Sequence, residues 1–385
     1  MPDAVILEAV RTPVGKRGRA LAHAHPVDLL GGLLAGMLAR SGVDPARVDD
    51  VIIGCVDQTG EQAANIARNA WLAAGLPESV PATTIDRQCG SSLQAVHFAA
   101  QGVMAGAYDL VIAGGVESMT RVPLGAPLMV GPGVPLTESL AKRYDLPRGW
   151  FDQAHGAEMI ARQWNITRER LDQFSLQSHQ RAAAAQAAGR FKDEIIPVTL
   201  PDGSSFSADE GIRPDTSLDK LASLQPAFPG LELITAGNAS QISDGASAML
   251  IATPDLAHQL DMRPRARFVS FAVVGVDPVT MLTGPIPATR KALARAGLSV
   301  SDIDLFEVNE AFASVLLAWQ HEIGAPWERV NVNGGAVALG HPLGATGTRI
   351  MATLVHELER REGRYGLVAI CEGGGMANAT IIERL

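Results

Sequence analysis

An α/β fold is what this sequence predicts, on three observations. Short apolar runs alternate with amphipathic stretches of helical length. The runs are continuously apolar, as in strands buried on both faces. Part of the first third recurs near the far end at nearly constant spacing. With 385 residues, 47% of them hydrophobic, and 39 glycines, the chain has length for two or three domains and ample core.

Val5 to Ala9 reads as an opening strand running into Arg11-Thr12-Pro13. Val27 to Ala39 is an amphipathic helix stopped near Gly42. Val51 to Gly54 is a short buried strand, and Asn65 to Ala74 a helix closed by Gly75 and Pro77. An apolar segment, Val80 to Ile85, leads into Asp86-Arg87-Gln88-Cys89-Gly90-Ser91-Ser92, and a helix from Leu93 leads out. Leu110 to Gly115 is a glycine-terminated strand. These strands are expected to be mostly parallel. Arg121 to Trp150 and Pro197 to Pro229 are irregular, with helices around Glu158 to Gln163 and Arg168 to Ala188 between them. Residues 119–242 therefore read as an inserted, loop-rich subdomain. Strands resume at Ser247 to Thr253 and Arg267 to Val274.

The repeat lays Ser41 to Gly54 on Ala296 to Asn309 at an offset of 255, with Gly42 on Gly297 and Asp49 on Asp304. Tyr108-Asp109-Leu110-Val111 matches Tyr365-Gly366-Leu367-Val368 at 257. A duplicated α/β unit follows, in which the Cys89 turn faces Gly340-His341-Pro342 through Gly347.

Composition narrows the chemistry. A net charge of -9 with no basic face argues against nucleic-acid binding, while leaving room for a small anionic ligand. Cys55, Cys89 and Cys371 are too few and too scattered for a disulfide scaffold or a zinc site. Met1 to Val10 is too short and acidic for a signal peptide, and no apolar run approaches a membrane span. Glu383-Arg384-Leu385 is not a peroxisomal address. A reduced, cytoplasmic thiol protein is expected.

Cys89, in a small polar turn before a helix, is expected to be thiolate-prone because the helix N-terminus favours negative charge. Gly90 and two serines allow a tight turn there. A thiolate nucleophile needs a base, and His341 is placed to serve. Cys371, ahead of Gly373-Gly374-Gly375, can pass a proton, and glycine N–H groups can hold an oxyanion. Asn309 can orient a water. Each has a plainer alternative: Cys89 and Cys371 as core, His341 as a helix cap, Asn309 as a turn residue. Cys55 reads as core.

Taken together and in order, Asp86-Arg87-Gln88-Cys89-Gly90-Ser91, Asn309-Glu310-Ala311-Phe312, Asn331 to Ala336 with Gly340-His341-Pro342-Leu343-Gly344-Ala345, and Cys371 before three glycines resemble the thiolase family end to end. Thr235-Ala236-Gly237-Asn238-Ala239-Ser240 resembles its coenzyme A loop. The resemblance implies a five-layered αβαβα fold. Residues 1–118 and 243–264 would form the N-terminal core half, 119–242 a loop domain covering CoA, and 265–385 the C-terminal half. It implies that His341 activates Cys89, that Cys89 takes the acyl group, and that Cys371 exchanges protons with acetyl-CoA and CoA. The N–H groups of Cys89 and Gly373 would form an oxyanion hole. Asn309 would hold a water, and Ser240, Arg213, Ala236 and Gly237 would contact CoA. CoA is then a substrate, with no metal or redox cofactor, and the partners are acyl-CoA and acetyl-CoA within a homodimer or homotetramer. The implied reaction is degradative thiolysis of 3-ketoacyl-CoA. A biosynthetic acetyl-CoA acetyltransferase is the near alternative and a β-ketoacyl synthase the distant one, set aside because Cys371 has no place in it. Two departures stand out: Ser92 where the family commonly has Gly, and Glu372 after Cys371. Where acetoacetyl-CoA specialists carry His-Met, this chain has Asp152-Gln153, which points to larger acyl groups. Met281 to Pro285 still resembles the short-chain pattern, and Ala154 and His155 are expected near the same wall.

Overall fold

The computed structural model describes residues 3–131, 133–144, 146 and 150–385. Met1 and Pro2 of the opening segment, and Pro132, Asp145 and 147–149 of the irregular stretch, lie outside the described residues. The first half of the fold is built on β1 (Val5–Arg11), β2 (Asp50–Gly54), β3 (Ala82–Ile85), β4 (Leu110–Ser118) and β5 (Ser243–Ala252), in the order β3-β2-β4-β5-β1, with the short strand Gly15–Lys16 paired to the start of β5. In the second half β6 (Ala266–Gly275), β7 (Leu305–Val308), β8 (Tyr365–Glu372) and β9 (Met376–Arg384) run in the order β7-β8-β9-β6. Val330 bridges Phe306 in parallel, beside β7 as β3 lies beside β2. The halves meet where Val5 and Ile6 pair with Arg267 and Ala266.

Helices occupy three layers around these sheets. α1 (Pro26–Ser41) and α2 (Ile66–Ala73) pack on the outer face of the first half, through Leu30, Leu34 and Trp71 against Val51, Ile53 and Leu110. α3 (Ser91–Met104) and α8 (Thr346–Arg361) lie between the sheets. There Leu93, Val96, Ile350 and Leu354 share one cluster with Ile6, Val111, Val368 and Ile370. α4 (Gln153–Gln163), α5 (Arg168–Ala187), α6 (Pro285–Ala296) and α7 (Ala313–Ile323) cover the outer face of the second half. This is the expected five-layered αβαβα fold. The strands of both inner faces are apolar on each side, which is why they read as continuous runs. Among the described residues, no helix is long and apolar enough to cross a membrane.

The duplication is visible in detail. α1 and α6 each end on a left-handed glycine, Gly42 (φ 70°) and Gly297 (φ 67°), where a side chain would strain the backbone. Asp49 Oδ2 accepts from the N–H groups of Asp109 and Leu110, and Asp304 Oδ2 from those of Arg364 and Tyr365. Asp50 pairs with Val111, and Leu305 with Gly366. The offset is therefore 255 here too, not 257. The Tyr-Leu-Val match was displaced by two residues, one strand period, so every side chain stayed on its face and the slip was hidden. α3 and α8 begin at the same offset, Ser91 and Thr346.

A second correction concerns strand direction. β2–β3, β2–β4 and β7–β8 are parallel, but β4–β5, β1–β5, β8–β9 and β6–β9 are antiparallel. The sheets are mixed rather than mostly parallel. β8 turns straight into β9 over Gly373-Gly374-Gly375, and Gly374 and Gly375 adopt positive φ (79° and 76°). Burial on both faces erases the alternation that normally marks an antiparallel strand.

Candidate active site

Cys89 lies in the turn between β3 and α3 and is 3% exposed. The turn is set by Gln88, at φ 49°, and by Ser91, whose Oγ accepts from the Arg87 N–H (2.9 Å) and donates to the Gln88 carbonyl (2.6 Å). Gly90 has φ −91°, a value open to any residue, so space rather than backbone freedom demands glycine there. An added Cβ would overlap Glu372 Oε1 and come within 2.9 Å of Asn378 Oδ1. The helix starts two residues after Cys89. Burial first, then the Glu372 carboxyl, push the thiol up to about 12, against the N–H groups of Gly373 and of Cys89 itself. The expected thiolate at rest is corrected to a neutral thiol with two donors aimed at it.

The second half brings its residues to the same centre. Gly347 of α8 packs on Leu93 of α3, with no room for a Cβ, and Ser92 Oγ accepts from the Thr348 N–H at 3.1 Å. Ser92 is thus a tie between the paired helices. Glu117, at the end of β4, accepts from the N–H groups of Val56 (2.9 Å) and Gly344 (2.9 Å) and from Gln62 Nε2 (2.7 Å). That carboxyl fastens the His341 loop to the first half.

His341 is 3% exposed, with a fixed tautomer. Thr346 Oγ1 donates to the Pro342 carbonyl (2.8 Å), so it accepts from His341 Nδ1–H (2.6 Å). Nε2 then carries the lone pair and faces Asn309 Nδ2 at 3.3 Å. Burial, then Arg349, lower the imidazole to about 3, so it is a neutral acceptor at physiological pH. His341 is no helix cap: its backbone N–H donates to the Gln241 carbonyl and to Ser243 Oγ, each at 3.2 Å. Asn309 is 2% exposed, and its Oδ1 has no protein partner. Its neighbour Glu310 accepts from Ser178 Oγ (2.7 Å), Asn331 Nδ2 (2.9 Å) and the Val337 N–H (3.1 Å), locking the two loops together. Cys371, fully buried, ends β8 close enough to feel Cys89; burial raises its thiol well above the ordinary range, and Cys89 and Glu372 add to that.

A cavity of about 480 Å³ reaches His341. Arg213, Ala236 and Ser240 line it, as do Lys16, Phe228 and Phe312. Gly237 does not: it is buried beneath the loop, packed on the Leu221 and Leu224 side chains. Gln153 also lines the cavity, whereas Asp152 caps α4 through the Ala154 and His155 N–H groups. Ala154 is in the core and His155 pairs with Asp152, so neither shapes the wall directly. Met281 is buried in the outer core. Cys55 is buried with its sulfur 3.8 Å from Glu117, a core residue as expected. Among the described residues, no group of three or more His, Cys, Asp or Glu converges to hold a metal ion.

Sequence reasoning missed Thr346, Glu117 and the clamp made by Gln241. The Gln241 amide donates to the carbonyls of Gly211 (2.8 Å), Val337 (2.9 Å) and Ala338 (3.0 Å). A buried acid beside a small-residue strand end was the available signal for Glu117; nothing local marks the others.

The arrangement holds two buried thiols close together, N–H groups of Gly373 and Cys89 directed at the Cys89 sulfur, and a neutral imidazole, His341, on the cavity wall. A model of the thiolase N-terminal domain matches residues 4–255, and one of the thiolase C-terminal domain residues 262–384. The steroid 3-ketoacyl-CoA thiolase FadA6 of Mycobacterium tuberculosis is 54% identical over 391 residues, covering 100% of this chain and 95% of its own. The 3-ketoacyl-CoA thiolase of Bacillus subtilis is 44% identical over 396 residues, covering 100% of both chains. The crystal structure of the Bacillus anthracis acetyl-CoA acetyltransferase superposes with a TM-score of 0.91 at 40% identity, over 100% of this chain and 99% of that one.

Proposed function

This chain belongs to the thiolase family, and on that premise we propose that it cleaves 3-ketoacyl-CoA with CoA, yielding acetyl-CoA and an acyl-CoA two carbons shorter. It is an acyltransferase of the degradative kind. One observation supports the mechanism: Cys371 is a buried thiol close enough to act on the buried Cys89, and His341 lines the cavity with its Nδ1–H held by Thr346, which leaves Nε2 as the acceptor.

In this reading His341 takes the Cys89 proton as the sulfur attacks the 3-keto carbon. The neutral resting thiol means that this transfer is coupled to substrate binding, not completed beforehand. The bond between C2 and C3 breaks, and acetyl-CoA leaves as an enolate held by His341 and by a water on Asn309. Asn309 Oδ1, buried without a protein partner, is an acceptor suited to that water. Cys371 protonates the enolate carbon, then removes the proton of incoming CoA, whose sulfur attacks the acyl-Cys89 thioester. The Cys89 and Gly373 N–H groups, already aimed at the sulfur, hold the oxyanion of that second step. Run backwards, the same site makes a carbon–carbon bond.

For CoA itself, Arg213, Lys16 and Ser240 on the cavity wall supply the cation and hydroxyl contacts. For the acyl group, Gln153, Leu124 and Phe228 on that wall support a substrate larger than acetoacetyl-CoA. The higher identity to enzymes named 3-ketoacyl-CoA thiolase, at 54% and 44%, favours degradation over the acetyltransferase alternative. A homodimer or homotetramer belongs to the proposal, supported by the place of β3 at the end of the strand order. So does the cytoplasm, in keeping with three unpaired thiols. The test is CoA-dependent cleavage across 3-ketoacyl-CoAs from four carbons to steroid size. Efficiency should rise beyond four carbons; a maximum at four with steady decline would return the acetoacetyl-CoA reading.

A further inference from the structure

Three buried acceptor oxygens beneath the nucleophile have no donor among the described residues: Glu372 Oε1, Glu372 Oε2 and Asn378 Oδ1. Glu372, at the end of β8, and Asn378, on β9, are both fully buried. Glu372 pairs with Met376 in the ladder, so Asn378, two residues on, is its diagonal neighbour on the same face. Both side chains close on one atom of the nucleophile turn. A Cβ at Gly90 would overlap Glu372 Oε1 and sit 2.9 Å from Asn378 Oδ1, while Asn378 Nδ2 donates to the Gly90 carbonyl at 3.1 Å. An ionised carboxylate would leave all three oxygens unsatisfied, a costly arrangement in the interior. One proton on Glu372 satisfies two of them at once.

We propose that Glu372 is a positioning residue: as a neutral carboxylic acid it donates a hydrogen bond to Asn378 Oδ1 and so holds the Cys89 turn through Gly90. The charge state also reaches the nucleophile. After burial, Glu372 is the strongest influence raising the Cys89 thiol, so a neutral Glu372 lets Cys89 ionise where an anionic one opposes it. Burial pushes Glu372 up to about 9, with Arg87 pulling it down and Asp86 raising it. The other titratable groups facing this cluster are Cys371 on β8, His97 on α3, held low by burial and by Arg87, and Glu117 on β4, which acts on Cys89.

The experiment is the pH profile of Cys89 alkylation by iodoacetamide, read by peptide mass spectrometry, for the native protein and Glu372→Gln. Alkylation needs no acyl-CoA, so its outcome is separate from that of the thiolysis reading on which the role in catalysis rests. Both proteins should react alike below about pH 9, where Glu372 is neutral. Above it the native protein should fall behind by about tenfold or more, because two like charges must then coexist. Superimposable profiles would overturn the proposal, including the case where Glu372→Gln only melts lower, and so would a slower variant at pH 7. If the variant does not fold, isotope-edited infrared spectra of the native protein decide. A protonated glutamate carbonyl band at pH 8 that fades above 9 supports the proposal; its absence at pH 8 overturns it.

Discussion

Replacing Thr346 by Val keeps the shape of the side chain and removes the one hydroxyl that sets the His341 tautomer. Thr346 Oγ1 accepts from His341 Nδ1–H at 2.6 Å and donates to the Pro342 carbonyl at 2.8 Å. Without it the imidazole has no acceptor for Nδ1–H, and the preference for a bare Nε2 is lost. An unsatisfied buried donor costs about 1–3 kcal/mol. Spent entirely on the tautomer equilibrium, that is a factor of about 5–150 in the competent fraction. The expected result is a kcat for thiolysis lowered ~10- to 100-fold and a melting temperature lowered by a few degrees. KM for CoA should hold, because Thr346 is not on the cavity wall. Thr346→Ser keeps the hydroxyl and should recover most of kcat. Steady-state kinetics of the two variants at pH 8 decide the matter. A Thr346→Val enzyme with native kcat, or a Ser variant as slow as the Val one, would refute the tautomer argument.

Two further expectations follow from the buried groups. Cys371→Ala should still acylate Cys89 from an acyl-CoA, yet lose turnover by on the order of 10²–10⁴-fold, as for removal of an acid–base group; near-native cleavage would return Cys371 to the core. His97, fully buried and bonded to Thr380 Oγ1 at 2.6 Å, is lowered to about 3 by burial and then Arg87. It stays neutral in the fold while the unfolded chain takes up a proton below pH ~6.5. Its contribution is therefore intact above that pH and is lost as pH falls toward 3, at about 1.4 kcal/mol per pH unit. Urea melts at pH 7, 6 and 5 should show a shallower decline for His97→Gln than for the native protein; equal slopes would contradict the assignment.

Much of this is legible in the sequence. Cys89, Asn309, His341 and Cys371 stand out because chemistry-bearing side chains sit among glycines at strand ends, and the repeat brings two of those segments together. What stayed hidden has physical reasons. Strands apolar on both faces carry no mark of direction, so the antiparallel β4–β5 and β8–β9 pairs read as parallel. A two-residue slip preserves side-chain facing, so the Tyr108 and Tyr365 match looked sound. Gly237 lies in a ligand-like loop but is needed for close packing on Leu221 and Leu224. Proximity to a helix start suggests a thiolate at Cys89, yet burial outweighs the helix, and Glu372, 283 positions away in sequence, adds to it whenever it is charged. Thr346 and Gln241 act through contacts between segments that no local pattern announces.

The central claim is that the acyl group passes through the Cys89 sulfur. Brief mixing of the protein with a 3-ketoacyl-CoA in the absence of free CoA, followed by acid quench and peptide mass spectrometry, observes it directly. The account predicts an acyl thioester on the peptide carrying Cys89, discharged on adding CoA and absent in Cys89→Ala. An adduct confined to Cys371 or Cys55, with Cys89 unmodified and product still formed, would contradict it.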